Sequence, residues 1–416
     1  MKQIARDRYL EKLTDRRGSA LIKIITGIRR SGKSYLLNPL FRDSLIKDGV
    51  AAEKILYLNF EDRRNLELMD PDALYKFIRK WIKDEGEKYY VLLDEIQLVP
   101  DFESVLNSFL HMPYLDVYVT GSNSKFLSSD IATEFRGRGE EIHIYPLSFA
   151  EFYGAVRGEK ELAWQEYYRY GGLPLILEQS DDAFKMDYLK TQCDNVYLND
   201  IIERYDIRKS EGFSELIEVL ASSIGSPTNP HKLEKTFKSR AGVNLSYHVI
   251  SDYLEKLEDA FIVEKSKRFD VKGKRYIDTP AKYYFQDMGI RNALLDFRQI
   301  EETHIMENVI YNELRRRGYR VDVGVVDVRE GNLRKQLEVD FVAKRGDRIY
   351  YIQSALSIND AKKREQEARS LDNIDDHFSK IIITKDVSIP GYERNGIVIL
   401  GLFDFLLKED ILDKYQ

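Results

Sequence analysis

Four nearly unbroken apolar runs mark the first third of the chain: Leu21–Ile25, Ile55–Phe60, Tyr89–Leu93 and Leu115–Thr120. Runs of this kind, rather than alternating ones, fit parallel strands covered on both faces. A fifth, Glu141–Tyr145, follows. Between them, Asp70–Asp84 and Phe102–Leu110 carry apolar residues at helical spacing. Strands alternating with helices predict a doubly wound parallel α/β sheet. A lead-in helix with Ile4, Tyr9, Leu10 and Leu13 precedes it.

The pattern then changes. Residues 146–210 read as helical, with a corner at Gly171-Gly172-Leu173-Pro174. This segment is expected to act as a lid over a bound nucleotide. Phe213–Ile224, Lys232–Arg240 and Ser246–Asp259 read as three short helices. The strands Phe261–Lys265 and Lys282–Phe285 flank a basic turn, Arg268–Lys274. Three helices and a hairpin predict a winged helix, whose third helix would enter a major groove. That helix carries Asp252, Glu255, Glu258 and Asp259, which oppose contact with phosphates. The last unit opens with an amphipathic helix, Thr303–Gly318, and continues as strands around the helix Ala361–Leu371. The expected division is 1–145, 146–210, 211–295 and 296–416.

The most specific chemistry follows the first strand. Gly27-Ile28-Arg29-Arg30-Ser31-Gly32-Lys33-Ser34 has the spacing G-x-x-x-x-G-K-S. A strand, a glycine-rich loop and a helix together form a cradle of backbone N–H groups for phosphate. Gly27, Arg30, Ser31, Gly32, Lys33, Ser34 and Tyr35 are the candidate nucleotide contacts. Lys33 is expected on the β- and γ-phosphates and Ser34 on Mg²⁺. The third apolar run ends in Asp94-Glu95. At a strand's carboxyl end, Asp94 would hold the Mg²⁺ shell and Glu95 would polarise the attacking water. Gly121-Ser122-Asn123-Ser124 ends the fourth run and offers small polar groups for the lytic water or the γ-phosphate. Arg136 and Arg138 precede the fifth, and an arginine there can stabilise charge on the transferring phosphoryl group. No Asn-Lys-x-Asp guanine-reading signature is present, which favours ATP.

Bulk properties narrow the class. The 416 residues include 64 basic and 70 acidic side chains, a formal charge of −6, so there is no global electrostatic case for nucleic acid. Basic residues do outnumber acidic ones up to Ser34, which suits a phosphate site. A lone Cys193 excludes an intrachain disulfide and points to a reducing compartment. No leader or membrane-length apolar run appears, so a cytoplasmic protein without a membrane partner is expected. In the last unit, Glu338 and Asp340 share one strand face, near Gln353 on a second strand and Glu307 and Glu313 on a helix. Such carboxylates suit Mg²⁺-assisted phosphodiester cleavage. The cation this chemistry wants is missing two residues beyond Gln353, where Ala355 stands. An inactive scaffold is therefore the favoured reading of this unit.

Taken together, these motifs resemble a bacterial and archaeal AAA-type ATPase family with a DUF4143 C-terminal region. The match runs through Thr26–Ser34, Leu93–Gln97, Thr120–Ser124, Arg136–Arg138, Pro146–Phe149, Gly171–Pro174, Glu307-Asn308 and Glu338–Phe341. The resemblance implies a P-loop NTPase core of the ASCE type, a helical lid, a winged-helix domain and a restriction-endonuclease-like α/β C-terminal domain. It also implies that Ser122 or Asn123 senses the γ-phosphate and that Arg138 acts in trans. The expected activity is Mg²⁺-dependent ATP hydrolysis in a switch or motor, with DNA or a protein as candidate partner. A homo-oligomer is required if the arginine acts in trans. Two alternatives stay open: an ATP-gated nuclease, and a DNA- or protein-binding module that holds nucleotide without turnover.

Overall fold

The computed structural model of the protein describes residues 4–121, 137–179, 181–207, 210–239, 245–331, 333–387, 391–392 and 395–415. It contains two compact units. The first holds residues 1–146 with 259–261, and the second holds the rest.

In the first unit the five apolar runs form a sheet of parallel strands. They are β1 (Ile22–Thr26), β2 (Ile55–Asn59), β3 (Tyr89–Asp94), β4 (Leu115–Thr120) and β5 (Gly139–His143). Their spatial order is β2-β3-β4-β1-β5. Successive strand residues feed two cores on opposite faces. Ile24, Val91, Leu93, Val117 and Val119 pack on one face with α4 (Pro71–Trp81) and α5 (Phe102–Leu110). Ile25, Leu92, Tyr118 and Ile142 pack on the other with α1 (Asp7–Asp15) and the segment after the glycine-rich loop. Burial on both faces is why these strands read as continuous apolar runs.

That segment starts as α2 (Lys33–Tyr35), passes through Leu36–Phe41 and ends as α3 (Arg42–Lys47). Asn38 is extended there, at φ −146° and ψ 116°. Pro39 explains the break, because proline donates no N–H and pushes the preceding residue out of helical geometry.

The second unit opens with helices α6 (Phe149–Val156), α7 (Lys160–Tyr170), α8 (Asp182–Thr191) and α9 (Asn199–Arg204). The corner at Gly171-Gly172 has a steric cause. Gly171 has φ 76°, and a Cβ on Gly172 would lie 2.3 Å from the Leu147 carbonyl oxygen. The Gly172 N–H donates to Asp287 Oδ2 at 2.7 Å. Burial pushes the Asp287 carboxyl up to about 6, against the pull of the backbone N–H groups it accepts from.

Next come α10 (Ser210–Ser222), α11 (Pro230–Ser239) and α12 (Tyr247–Asp259), then the hairpin β6 (Val263–Asp270) and β7 (Arg275–Phe285). After α13 (Met288–Leu294) and α14 (Glu302–Arg316) follow β8 (Arg320–Glu330), β9 (Leu333–Arg345), β10 (Arg348–Ala355), α15 (Ala361–Asp372), β11 (Ser379–Thr384), β12 (Gly391–Tyr392) and β13 (Val398–Gly401). The expected helices and hairpin are therefore present. The hairpin, however, is not a free wing. It forms the edge of an eight-stranded sheet ordered β12-β13-β11-β10-β9-β8-β6-β7, with β6 parallel to β8. Residues 211–295 and 296–416 thus share one sheet. Among the described residues, no helix is long and apolar enough to cross a membrane.

Candidate functional site

The glycine-rich loop leaves β1 at its carboxyl end, where open α/β sheets bind ligands. Its conformation needs its residue types. Gly27 has φ 138°, and a Cβ there would lie 2.2 Å from the Ile144 carbonyl oxygen. Gly32 has φ 95° and Arg30 φ 65°, so the loop turns through the left-handed region twice. The Ser31 hydroxyl is buried and has no hydrogen-bond partner among the described residues. Buried polar groups normally find one, so this orphan oxygen fits a loop shaped for a polar ligand.

Lys33 lies inside the loop, 4% exposed. Its Nζ donates to the carbonyl oxygens of Gly27 at 2.9 Å and Ile28 at 3.1 Å. Burial pushes the ammonium down to about 8, partly offset by the charges of Glu95 and Asp94. Opposite stands Asp94, at the end of β3. Its Oδ1 accepts from Ser34 Oγ at 3.1 Å and from the Thr120 hydroxyl. Its Oδ2 accepts from Tyr57 OH at 2.9 Å and Asn59 Nδ2 at 3.2 Å. Burial raises its carboxyl pKa, and the hydrogen bonds from Thr120, Tyr57 and Ser34 pull it back. A carboxylate ringed by donors and joined to the loop serine matches the chemistry of a Mg²⁺ shell.

Glu95 adopts φ 56°, a left-handed conformation uncommon outside glycine. Its N–H donates to Thr120 Oγ1 at 3.0 Å, and its side chain accepts from Gln97 Nε2. Thr120 therefore ties together the backbone of one acid and the side chain of the other. Glu61 lies near both, and burial, then the charge of Glu95, raises its pKa. It also pairs with Arg29 at 3.7 Å.

The structure thus brings Gly27, Gly32, Lys33, Ser34, Asp94 and Glu95 to one end of the sheet. Tyr57, Asn59, Glu61, Gln97 and Thr120 join them without having been singled out for this site. Their signal was positional. Asn59 pairs with Asp94, and Leu93 with Val119, so the last residues of β2, β3 and β4 line up.

Of the other candidates, Ser122, Asn123 and Arg136 lie outside the described residues. Arg138 is at the opposite end of the sheet: its carbonyl accepts from Ile22 N at 3.0 Å, where β5 starts beside β1. That is roughly 13 Å of strand away from the loop, so Arg138 does not serve the site of its own chain. Four of the early basic residues are committed elsewhere. Lys23 pairs with Asp116, Arg16 with Glu140 and Arg17 with Asp48, and Arg6 donates to the Tyr145 carbonyl at 2.7 Å. They tie strands and helices together rather than serving a phosphate.

Among the candidate residues of the second unit, Glu313 departs from expectation. Glu313 is bonded to Arg316 and Arg317. Gln353 stays beside Asp340, whose N–H donates to its Oε1 at 3.3 Å, while its Nε2 reaches Glu367 at 3.4 Å. Glu307, Glu338 and Asp340 do converge, around the ammonium of Lys282. Burial and the charge of Glu307 push the Asp340 carboxyl up to about 8. The same carboxylates raise the pKa of Lys282 against its burial. No group of three or more histidine, cysteine or acidic residues among the described residues is disposed to hold a metal.

Comparison with known proteins agrees with the first unit. Residues 19–153 match the family model of an AAA domain. Residues 161–301 match a domain of unknown function, DUF8612, rather than the expected DUF4143 region. The chain is 37% identical over 410 residues to an uncharacterized protein of Haemophilus influenzae, covering 97% of this chain and 99% of that one. It is 31% identical over 397 residues to a Methanocaldococcus jannaschii protein, covering 90% and 83%. A Walker-type ATPase of Pyrococcus abyssi shares the fold, with a TM-score of 0.50 at 14% identity, over 70% of this chain and 96% of that one. With its Haemophilus and Methanocaldococcus relatives, the chain belongs to a family of proteins built on an AAA-type P-loop domain.

Proposed function

We propose that this protein is a Mg²⁺-dependent ATPase that works as a molecular switch or motor. The observation that carries the reading is the link from Ser34 through Asp94 to Thr120 and the Glu95 backbone, facing Lys33. In that arrangement Lys33 and the loop amides bind the triphosphate. Ser34 and Asp94 would hold the metal, which would supply positive charge to the triphosphate. Glu95, oriented by Gln97, takes the proton of the attacking water. Arg138 would act only on a neighbouring copy, which makes a homo-oligomer part of the proposal.

Phosphate release from ATP tests this directly. Glu95→Gln is expected to keep ATP binding and lower turnover about a hundredfold or more, the scale of a lost general base. Normal turnover in that variant would remove Glu95 from its role. Running the assay with and without DNA tests the partner. Stimulation is not expected to come through α12, whose exposed face carries Asp252, Glu255 and Asp259.

The depressed Lys33 pKa gives a second expectation. A bound triphosphate favours the ammonium form, so below about pH 8 affinity is insensitive to this group. Above pH 8 binding must take up a proton. The Kd for ATP then rises by up to about tenfold per pH unit, until the bound-state pKa is reached. Calorimetry at pH 9 in two buffers of different ionisation enthalpy should read proton uptake. A flat Kd from pH 7 to pH 9.5 would contradict it.

A further inference from the structure

The carboxylates from which a divalent ion was expected to be held in the second unit are gathered around a side chain of the protein itself. Asp340 and Glu338 lie on β9 and Glu307 on α14. From β7, Lys282 places its Nζ 2.9 Å from Glu307 Oε1, 2.8 Å from Glu338 Oε1 and 3.8 Å from Asp340 Oδ1. The lysine is 2% exposed. Neighbouring bonds hold Glu307 and Asp340 in this arrangement. Tyr284 OH donates to Glu307 Oε1 at 2.7 Å, and the Ser354 N–H donates to Asp340 Oδ2 at 2.8 Å.

An ammonium and a divalent ion cannot share this space. Mg²⁺ needs oxygens at about 2.1 Å in a near-octahedral shell. The ammonium, at hydrogen-bond distance from Glu307 and Glu338, uses the same lone pairs, and two cations a few ångströms apart among the same carboxylates repel. Nor is Lys282 a remote counter-charge, since it bridges a helix and a strand that carry the acids. The residues present therefore do not fit the metal that a nuclease-like domain implies.

We propose that Lys282 is a built-in substitute for a divalent cation, so that this domain binds no metal and cleaves no phosphodiester, and that removing the ammonium uncovers a latent metal site at Glu307, Glu338 and Asp340. The substitute also accounts for Ala355, which is buried among Val339, Tyr351 and Ile382 and leaves no second cation beside the acids.

The test uses the full chain without nucleotide and Mn²⁺ as probe, with binding read by electron paramagnetic resonance. The difference between wild type and Asp340→Asn isolates this site from the P-loop. That difference is expected to be nil. Lys282→Met is expected to bind one additional Mn²⁺ per chain, lost again in Lys282→Met/Asp340→Asn. Its melting temperature is expected to drop by several degrees without metal and recover when Mn²⁺ is added. Mn²⁺ bound by wild type and lost in Asp340→Asn would overturn the proposal, as would Asp340-dependent nicking of plasmid DNA. A folded Lys282→Met that gains no Mn²⁺ would overturn the latent site. If that variant does not fold, the wild-type comparison still decides whether the ammonium excludes the metal.

Discussion

Lys33→Ala is expected to lower ATP affinity by roughly a hundred- to a thousandfold and to bring phosphate release below detection. The ammonium is the one side-chain cation buried inside the glycine-rich loop. Removing one member of a desolvated charge pair costs about 3–4 kcal/mol, and each 1.4 kcal/mol is a factor of ten. The fold should not share the loss. Among the described residues Lys33 bonds only to carbonyl oxygens of its own loop, and burial already disfavours its charged form. Alanine at a helix start removes that penalty and costs no propensity. The melting temperature without nucleotide should therefore stay level or rise slightly, while calorimetric ATP binding collapses. A variant that unfolds instead would assign Lys33 to holding the loop together. A variant that binds ATP normally would remove the triphosphate from this site.

This pairing of a lost ligand with a preserved fold is legible from sequence because the loop is local. Its glycines, lysine and serine lie within eight consecutive positions, and a φ above zero at Gly27 and Gly32 is what glycine supplies. Asp94-Glu95 was equally legible, as polar residues ending a run buried on both faces. What surrounds Asp94 was not. Tyr57, Asn59 and Thr120 meet it only because β3 lies between β2 and β4, and spatial strand order is not written in any one segment. Long-range charge pairing escaped for the same reason. The basic residues before Ser34 looked like a phosphate site as a count, yet Lys23 is matched to an acid 93 positions away. The β6–β7 hairpin had the local marks of a wing, and only its pairing with β8 merges it into the larger sheet. Lys282 likewise lies far along the chain from Asp340, so nothing near either residue announces their meeting.

The Lys23–Asp116 pair supplies the second large effect, opposite in kind. Both side chains are buried, at 0% and 1% exposure, between the central strands β1 and β4. Asp116 also accepts from Gly18 N at 2.9 Å and from Tyr118 OH at 3.3 Å, and Lys23 donates to the Ser19 carbonyl at 3.0 Å. Asp116→Ala leaves an uncompensated buried ammonium and takes the acceptor from the Gly18 N–H. Breaking a buried pair in this way costs about 3–5 kcal/mol. For a unit of this size that lowers the melting temperature by on the order of 10 °C. The double variant Lys23→Met/Asp116→Leu should recover most of the loss, because apolar replacement of both partners removes the stranded charge. The pair lies toward the amino end of β1, roughly 10 Å of strand from the loop. Below its melting point Asp116→Ala should therefore bind ATP as wild type does. Lys33→Ala keeps the fold and loses the ligand, and Asp116→Ala does the reverse. If both variants lost stability and binding together, the loop and the strand pair beneath it would have to be one cooperative element, and the separation of site from scaffold argued for this sheet would fail.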